Sequence, residues 1–232
     1  MKNLEKIINK IEKNIDDKDK VREKALRYSR EIIINCRRAI QLIHNDSMDK
    51  SILLIKEAIS KLSDLYDLTK NHSDLSHSGF IENAAQEVVE AVCLYNIILG
   101  EDLPDPDELH VTYSSYLNGL CDVVGEFRRK SLDLILNGHP EKANDYLRYM
   151  EDIYGAILRF DYPSGLIPIK KKQDLVRGLI EKTRGELAVA SCERRIEYKT
   201  DEFRGILDDI NICQNKNKKK DTKDDLNIDR VW

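Results

Sequence analysis

The chain has 232 residues, of which 34% are charged and 41% hydrophobic, a balance typical of solvated amphipathic helices rather than of a disordered chain. Its formal net charge is only −4, so the overall charge gives no sign of nucleic-acid binding, and any such surface must come from local clustering of basic residues. The five cysteines include no C-x-x-C pair, which argues against a disulfide framework and against a zinc site.

Apolar residues at helical spacing predict two long helices in the first third of the chain. The first runs over about residues 3–44 and contains neither Pro nor Gly, although a break near residues 16–19 is compatible with the pattern. Residues 45–47 are typical helix caps, and a second helix is expected over about 48–71. A polar connector, residues 72–79, follows.

The third predicted helix, residues 80–99, is apolar on nearly all sides, which predicts the central buried element of the fold. Gly100 fits its C-cap. Beyond a loop at 101–110, the pattern predicts three further helices, which cover about residues 112–136, 140–160 and 171–192, the last with a compatible pattern toward Ile210. We expect one all-α domain over residues 1–212 and a charged, disordered tail over 213–232.

The start of the chain does not resemble a signal peptide, and no run of about eighteen apolar residues occurs. A reducing cytoplasm is therefore the expected location. Three cysteines lie in apolar helical surroundings and are expected to be small buried hydrophobic residues: Cys36, Cys93 and Cys121.

Two glutamates stand out on the third predicted helix. Glu87 and Glu90 are three residues apart, so they are neighbours on one helix face. Two ionised carboxylates about 6 Å apart repel by roughly 3 kcal/mol at an effective dielectric constant near 20. Placing both in an apolar helix therefore requires a partner, either a divalent metal ion or a basic side chain.

A second acidic pair, Asp122 and Glu126, is four residues apart on the next helix, with Gly125 between its members on the same face. That glycine costs the helix up to about 1 kcal/mol but lets another backbone or a ligand come close. If the two helices pack side by side, four oxygen donors converge, and such clusters suit Mg²⁺ or Mn²⁺. The alternative is that the carboxylates only form ion pairs with nearby basic residues such as Arg128, Arg129 and Lys130.

Three stretches of the chain resemble a known family. Residues 29–44 are similar to the long first helix of the translin superfamily. Gln86-Glu87-Val88-Val89-Glu90-Ala91-Val92 resembles the QE(F/Y)(V/I)EAV signature of one branch, translin-associated factor X (TRAX). Tyr116-Leu117-Asn118-Gly119, followed by Asp122-Val123-Val124-Gly125-Glu126 and Arg129, resembles the YLxG…D–G–E…R segment of the family. The likeness extends over about residues 20–195 in the same helix order.

The resemblance implies a single-domain seven-helix bundle of translin type, assembly into an octamer-like hollow shell, and metal-dependent cleavage of single-stranded RNA or RNA ends inside it. Glu87 and Glu90 match the two TRAX glutamates, and Asp122 matches the catalytic aspartate. By resemblance these three are catalytic and hold Mg²⁺ or Mn²⁺, and Glu126 is a fourth, adjacent ligand or orienting residue. The short loop at 101–110 resembles that of prokaryotic, archaeal-type members, for which a homo-oligomer is expected.

Basic residues near the acidic centre are expected to contact RNA: Arg30, Arg37, Arg38 and Arg129. Arg30 and Arg37 are seven residues apart and share a helix face, for which a solvated surface paired with neighbouring acids is the alternative. The sequence thus predicts a Mg²⁺-dependent endoribonuclease. The alternatives are a non-catalytic oligomer of translin type that binds single-stranded RNA or DNA, sequence-specific DNA binding included, and a helical scaffold whose carboxylates form only ion pairs.

Overall fold

The computed structural model of the chain describes residues 3–224, with side chains for residues 3–212. This range contains seven helices and no strand, which confirms the all-α prediction and the number of helices that the resemblance implies. The helices are α1 (Leu4–His44), α2 (Met48–Thr69), α3 (Ser73–Ser76), α4 (Gly79–Leu99), α5 (Tyr113–Leu136), α6 (Pro140–Ile157) and α7 (Lys170–Asp224).

The helix boundaries follow the sequence pattern closely. The break considered near residues 16–19 does not occur, because α1 is continuous. Helix α7 continues past residue 212, where we expect the tail to begin, and residues 225–232 of the predicted tail lie outside the described residues. The division of the chain at residue 212 therefore stays a prediction.

Helix α4 lies at the centre of the bundle and packs against α1, α2 and α5. Its sequence explains this position, because small and branched apolar residues such as Ala84, Val88 and Ala91 are buried on several sides of the helix. Cys36, Cys93 and Cys121 are buried as predicted. No helix in the described part of the chain is long and apolar enough to cross a membrane.

Helices α4 and α5 run in the same direction with a constant register. Ser115 donates a hydrogen bond to the Glu82 backbone oxygen over 3.2 Å, and Gly119 faces Gln86 four residues further along both helices. A Cβ on residue 119 would stand 2.7 Å from the Gln86 carbonyl oxygen and 2.8 Å from the Val89 Cβ. The two helices therefore touch at a point where only glycine fits.

The loop between α4 and α5 returns the chain to the start of α4. It begins at Gly100, whose φ of +74° makes it the left-handed C-cap of α4, as predicted. The Tyr116 hydroxyl donates a hydrogen bond to the Pro104 carbonyl oxygen over 2.7 Å and so fastens the loop to α5. The Thr112 side chain then caps α5 by accepting a hydrogen bond from the Ser115 backbone nitrogen.

Candidate functional site

The register of α4 and α5 brings the two predicted acidic pairs into one region. The Gln86 amide, one residue before Glu87, donates a hydrogen bond to Asp122 on α5. Glu90 lies one turn further along α4 and is half-buried, with Asp122, Glu87 and Glu126 close enough to act on its charge. We call these four carboxylates, Glu87, Glu90, Asp122 and Glu126, the acidic cluster.

Burial and the charges of Asp122, Glu87 and Glu126 raise the pKa of Glu90 to about 8, and the charge of Lys172 opposes this rise. Without a further cation, Glu90 therefore remains largely protonated at neutral pH. Burial, followed by the charges of Glu87 and Glu90, likewise raises the pKa of the neighbouring Cys36 thiol far above its usual range. Burial and the neighbouring carboxylates thus both disfavour a negative charge on Glu90.

Each of the other three carboxylates contacts a basic side chain or a histidine. Glu87 accepts hydrogen bonds from Arg37 on α1, the shorter of them 2.9 Å long. Asp122 accepts a hydrogen bond from Lys172 in the first turn of α7. Glu126 lies 2.5 Å from His44 Nε2 and 3.9 Å from Arg129. The predicted alternative of ion pairing is therefore present in part.

Two of these contacts come from residues that the sequence does not mark. Lys172 is one of three consecutive lysines at the start of α7, and only the packing of α7 against α5 selects it. His44 looks like an ordinary helix-terminal histidine, yet its side chain is only 4% exposed. Its position four residues after the buried Ile40 is the signal that it continues the buried face of α1.

The basic residues nearest Asp122 and Glu126 in sequence mostly point elsewhere. Arg128 makes two hydrogen bonds to Glu186 and one to Thr183, and Lys130 pairs with Asp46. Of the three that we expected as ion-pair partners, only Arg129 approaches the acidic cluster.

Of the two roles considered for Gly125, contact with another backbone does not occur among the described residues. A Cβ on residue 125 would meet no atom within 4 Å among the described residues, whereas Gly119, six residues earlier, touches α4. The open space beside Gly125 lies between Asp122 and Glu126 on their helix face. It leaves room for a ligand, which is the other role considered for this glycine.

The four predicted RNA-binding arginines fall into two groups. Arg37 and Arg129 border the acidic cluster through Glu87 and Glu126. Arg30 and Arg38 are exposed on α1 and make no ion pair with any described residue. The structure therefore places two of the four beside the cluster and leaves the other two open to solvent.

The donor set of the acidic cluster fits Mg²⁺ or Mn²⁺ chemically, because all of its ligand atoms are carboxylate oxygens. Four carboxylates face three cations, Arg37, Arg129 and Lys172, and the pKa of Glu90 is raised first by its burial and then by the three neighbouring carboxylates. Within the described residues, however, no three His, Cys, Asp or Glu side chains stand close enough together to hold a metal ion. Holding one therefore requires these side chains to turn from their present partners.

The chain is similar to known proteins along most of its length. The sequence profile of the Translin family matches residues 20–184. An uncharacterized protein of Methanocaldococcus jannaschii is 35% identical over 176 residues, which are 74% of this chain and 77% of the relative.

Solved structures with the same fold include two of AfC3PO. One, in complex with duplex RNA, shares 30% identity over 81% of this chain and 97% of its own. The other shares 31% identity over 81% of this chain and 98% of its own, and the TM-score is 0.73 in both cases. The structure of apo-NeC3PO, at 20% identity and a TM-score of 0.71 over 79% of this chain and 96% of its own, shares the fold.

Proposed function

This chain belongs to the translin family, and we propose that it is a Mg²⁺-dependent endoribonuclease of the TRAX type that cleaves single-stranded RNA or RNA ends within a homo-oligomeric shell. The observation that carries the proposal is the alignment of Glu87 and Glu90 on α4 with Asp122 on α5, fixed by the Gln86–Asp122 hydrogen bond and by the close approach at Gly119. The match of residues 86–92 to the TRAX signature supports this branch of the family over translin itself.

In this proposal Glu87, Glu90 and Asp122 hold the ion, and Glu126 ligates or orients. When bound, Mg²⁺ supplies positive charge to the phosphoryl oxygens and makes water a stronger nucleophile. Glu90 carries a proton at its carboxyl group at neutral pH without metal, so metal binding and loss of that proton are linked. His44 holds Glu126 in place from the protein interior.

Basic residues around the acidic cluster supply the contacts to the RNA backbone. Arg37 and Arg129 border the cluster, where their guanidinium groups can exchange a carboxylate for a phosphate oxygen. Arg30 and Arg38 extend this surface along α1. The complex of the related AfC3PO with duplex RNA and the family membership support binding of RNA by an oligomer.

The decisive experiment incubates the purified protein with a 5′-labelled single-stranded RNA in Mg²⁺ or in EDTA. The variants are Glu90→Gln and Asp122→Asn, which keep the shape of each side chain, together with the double variant Glu87→Ala plus Glu90→Ala. Glu12→Gln on the exposed start of α1 is the matched control. We expect the wild type to cleave RNA only with the metal. The cleavage rate should fall by at least about 100-fold in each cluster variant and stay unchanged in the control. Cleavage that persists in the double variant contradicts the proposal.

The second candidate is a non-catalytic oligomer of translin type that binds single-stranded nucleic acid. The ion pairs and hydrogen bonds of Glu87, Asp122 and Glu126 favour it, because they give these carboxylates a structural role without any metal. It predicts RNA or DNA binding that is the same in Mg²⁺ and EDTA, without cleavage. Native mass spectrometry of the same sample measures the number of subunits, which we expect to be eight by resemblance.

A further inference from the structure

A polar cleft of about 600 Å³ opens beside the acidic cluster. It lies between the first turns of α4 and α5 and the loop that precedes α7, which contributes Gly165, Leu166 and Pro168. Its volume falls within the range of small-ligand sites in proteins. The loop at 158–169 forms its outer wall.

The chemistry of the cleft is that of hydrogen bonding rather than of charge neutralisation. Three amide side chains line it, from Asn83, Gln86 and Asn118, and none of its described lining residues is lysine or arginine. Phosphate groups are bound in proteins mainly by such cations and by backbone N–H groups. Amide side chains, in contrast, match the paired donors and acceptors on the edge of an unpaired nucleobase.

One carboxylate in the wall gives the cleft a preference among bases. Glu82 Oε2 accepts hydrogen bonds from Thr112 Oγ1, over 2.7 Å, and from Ser115 Oγ, so its carboxylate is held in one orientation. Both bonds engage the same oxygen atom. A fixed carboxylate accepts hydrogen bonds and therefore favours a base that presents an amino group.

Gln86 connects the cleft to the acidic cluster. Its side chain lines the cleft, and its amide donates a hydrogen bond to Asp122. A base held against Gln86 therefore places the phosphodiester linkage of the same nucleotide close to Asp122. Among the described residues, Gln86 is the only one lining the cleft whose side chain donates a hydrogen bond to the acidic cluster.

We propose that this cleft binds one unpaired RNA base bearing an amino group and thereby selects which phosphodiester bond lies at the acidic cluster. The inference that a base binds here depends only on the residues of the cleft. The inference that the cleft selects the cleaved bond rests on the proposed nuclease function. The cleft is thus the specificity subsite of the enzyme.

The experiment uses cytidine and uridine, which have nearly the same size and differ in the amino or carbonyl group at the pyrimidine C4. Binding to the full chain is measured by NMR titration in EDTA, so no cleavage and no metal take part. We expect cytidine to bind at least threefold more tightly than uridine. Asn83→Ala, which truncates an exposed side chain of the cleft, should weaken cytidine binding at least fivefold, whereas Asn14→Ala on the exposed start of α1 should leave it unchanged.

A second measurement sequences the ends of the products that the wild type and Asn83→Ala release from a random RNA in Mg²⁺. We expect the base preference next to the cut to weaken in Asn83→Ala while cleavage continues. Equal binding of the two nucleosides, or cytidine binding that Asn83→Ala leaves intact, overturns the cleft inference. If the protein binds cytidine selectively but cleaves no RNA, base binding in the cleft is supported and the nuclease proposal is overturned.

Discussion

The carbonyl oxygen of Gln86 lies 2.7 Å from the position that a Cβ on residue 119 would occupy, so the backbones of α4 and α5 are in direct contact at Gly119. This contact is three residues before Asp122 on one helix and one residue before Glu87 on the other. The spacing of the acidic cluster is therefore set by the absence of a side chain at position 119.

Gly119→Ala should separate the two helices, because neither the Gln86 carbonyl nor the Val89 side chain has room for a methyl group. Overpacking of this kind destabilises a protein by about 1–3 kcal/mol, which exceeds the gain of about 1 kcal/mol from replacing a helical glycine. Urea unfolding measures the loss. A displacement near 1 Å should also lower the cleavage rate by up to about 100-fold.

The control for this variant is Gly125→Ala, where a methyl group meets only open space. It should stabilise the fold by up to about 1 kcal/mol. If RNA or metal occupies that space, Gly125→Ala should nevertheless cleave more slowly than the wild type. Equal stability of the two alanine variants would contradict the assignment of Gly119 as the contact.

The pKa of Glu90, raised from 4.5 to about 8, makes stability depend on pH in a defined direction. Below pH 4.5 both the folded and the unfolded chain hold this proton. Between pH 4.5 and 8 only the folded chain holds it, so stability is lost as the pH rises through this window. Relative to Glu90→Gln, the wild type should lose on the order of 5 kcal/mol across this window, measured by urea unfolding in EDTA. Parallel curves for the two proteins would refute the raised pKa.

Removing the Lys172 ammonium group should strengthen metal binding, because Lys172 competes with a cation for Asp122. Loss of one positive charge a few ångströms away changes the binding energy by over 1 kcal/mol, which corresponds to a Kd lower by about tenfold. Calorimetric titration with Mn²⁺ compares Lys172→Met with Lys171→Met, whose side chain is exposed. Weaker binding in Lys172→Met would mean that the lysine organises Asp122 instead.

The contact between His44 and Glu126 should appear as an energetic coupling. His44 is buried, its Nε2 lies 2.5 Å from Glu126, and its Nδ1 has no hydrogen-bond partner among the described residues. A double-mutant cycle with His44→Leu and Glu126→Gln should give a coupling energy of about 1–3 kcal/mol in unfolding experiments. Additive effects would show that His44 only fills space.

Phosphate contacts by α1 should be visible in the salt dependence of RNA binding. Arg30→Ala and Arg38→Ala should each reduce the slope of log K against log salt by roughly 0.7, the value for one phosphate contact on a single strand. Arg148→Ala, on α6 and paired with Asp145, is the control. Unchanged slopes in all three variants would assign Arg30 and Arg38 to a merely solvated face.

The fold follows from the sequence with few errors, because each helix except the four-residue α3, which lies in the predicted polar connector, carries its own periodicity. Thr112, Pro140 and Gly100 mark boundaries that the structure reproduces. The continuation of α7 is harder to predict, because residues 191–212 are all exposed and bury no apolar stripe.

The acidic cluster follows from the sequence only in part. The spacing of Glu87 and Glu90 places both on one face, and the family resemblance selects Asp122 as their counterpart. Lys172 and His44 reach the cluster because helices that are distant in sequence pack together. The spacing of residues within one helix does not predict such contacts. Spacing also does not predict whether Gly119 or Gly125 touches α4, because this depends on the register between α4 and α5.

The parallel course of α4 and α5 makes residues 100–112 a tether between the two halves of the acidic cluster. The chain must travel back from Leu99 to the level of Glu82, roughly 26 Å at 1.5 Å per helical residue. A fully extended chain covers that distance in about eight residues. Deletions that shorten the loop below this minimum would shift α5 along α4 and move Asp122 away from Gln86. Insertions leave the alignment of the two helices intact. This segment can therefore lengthen freely over evolution but has a minimum length.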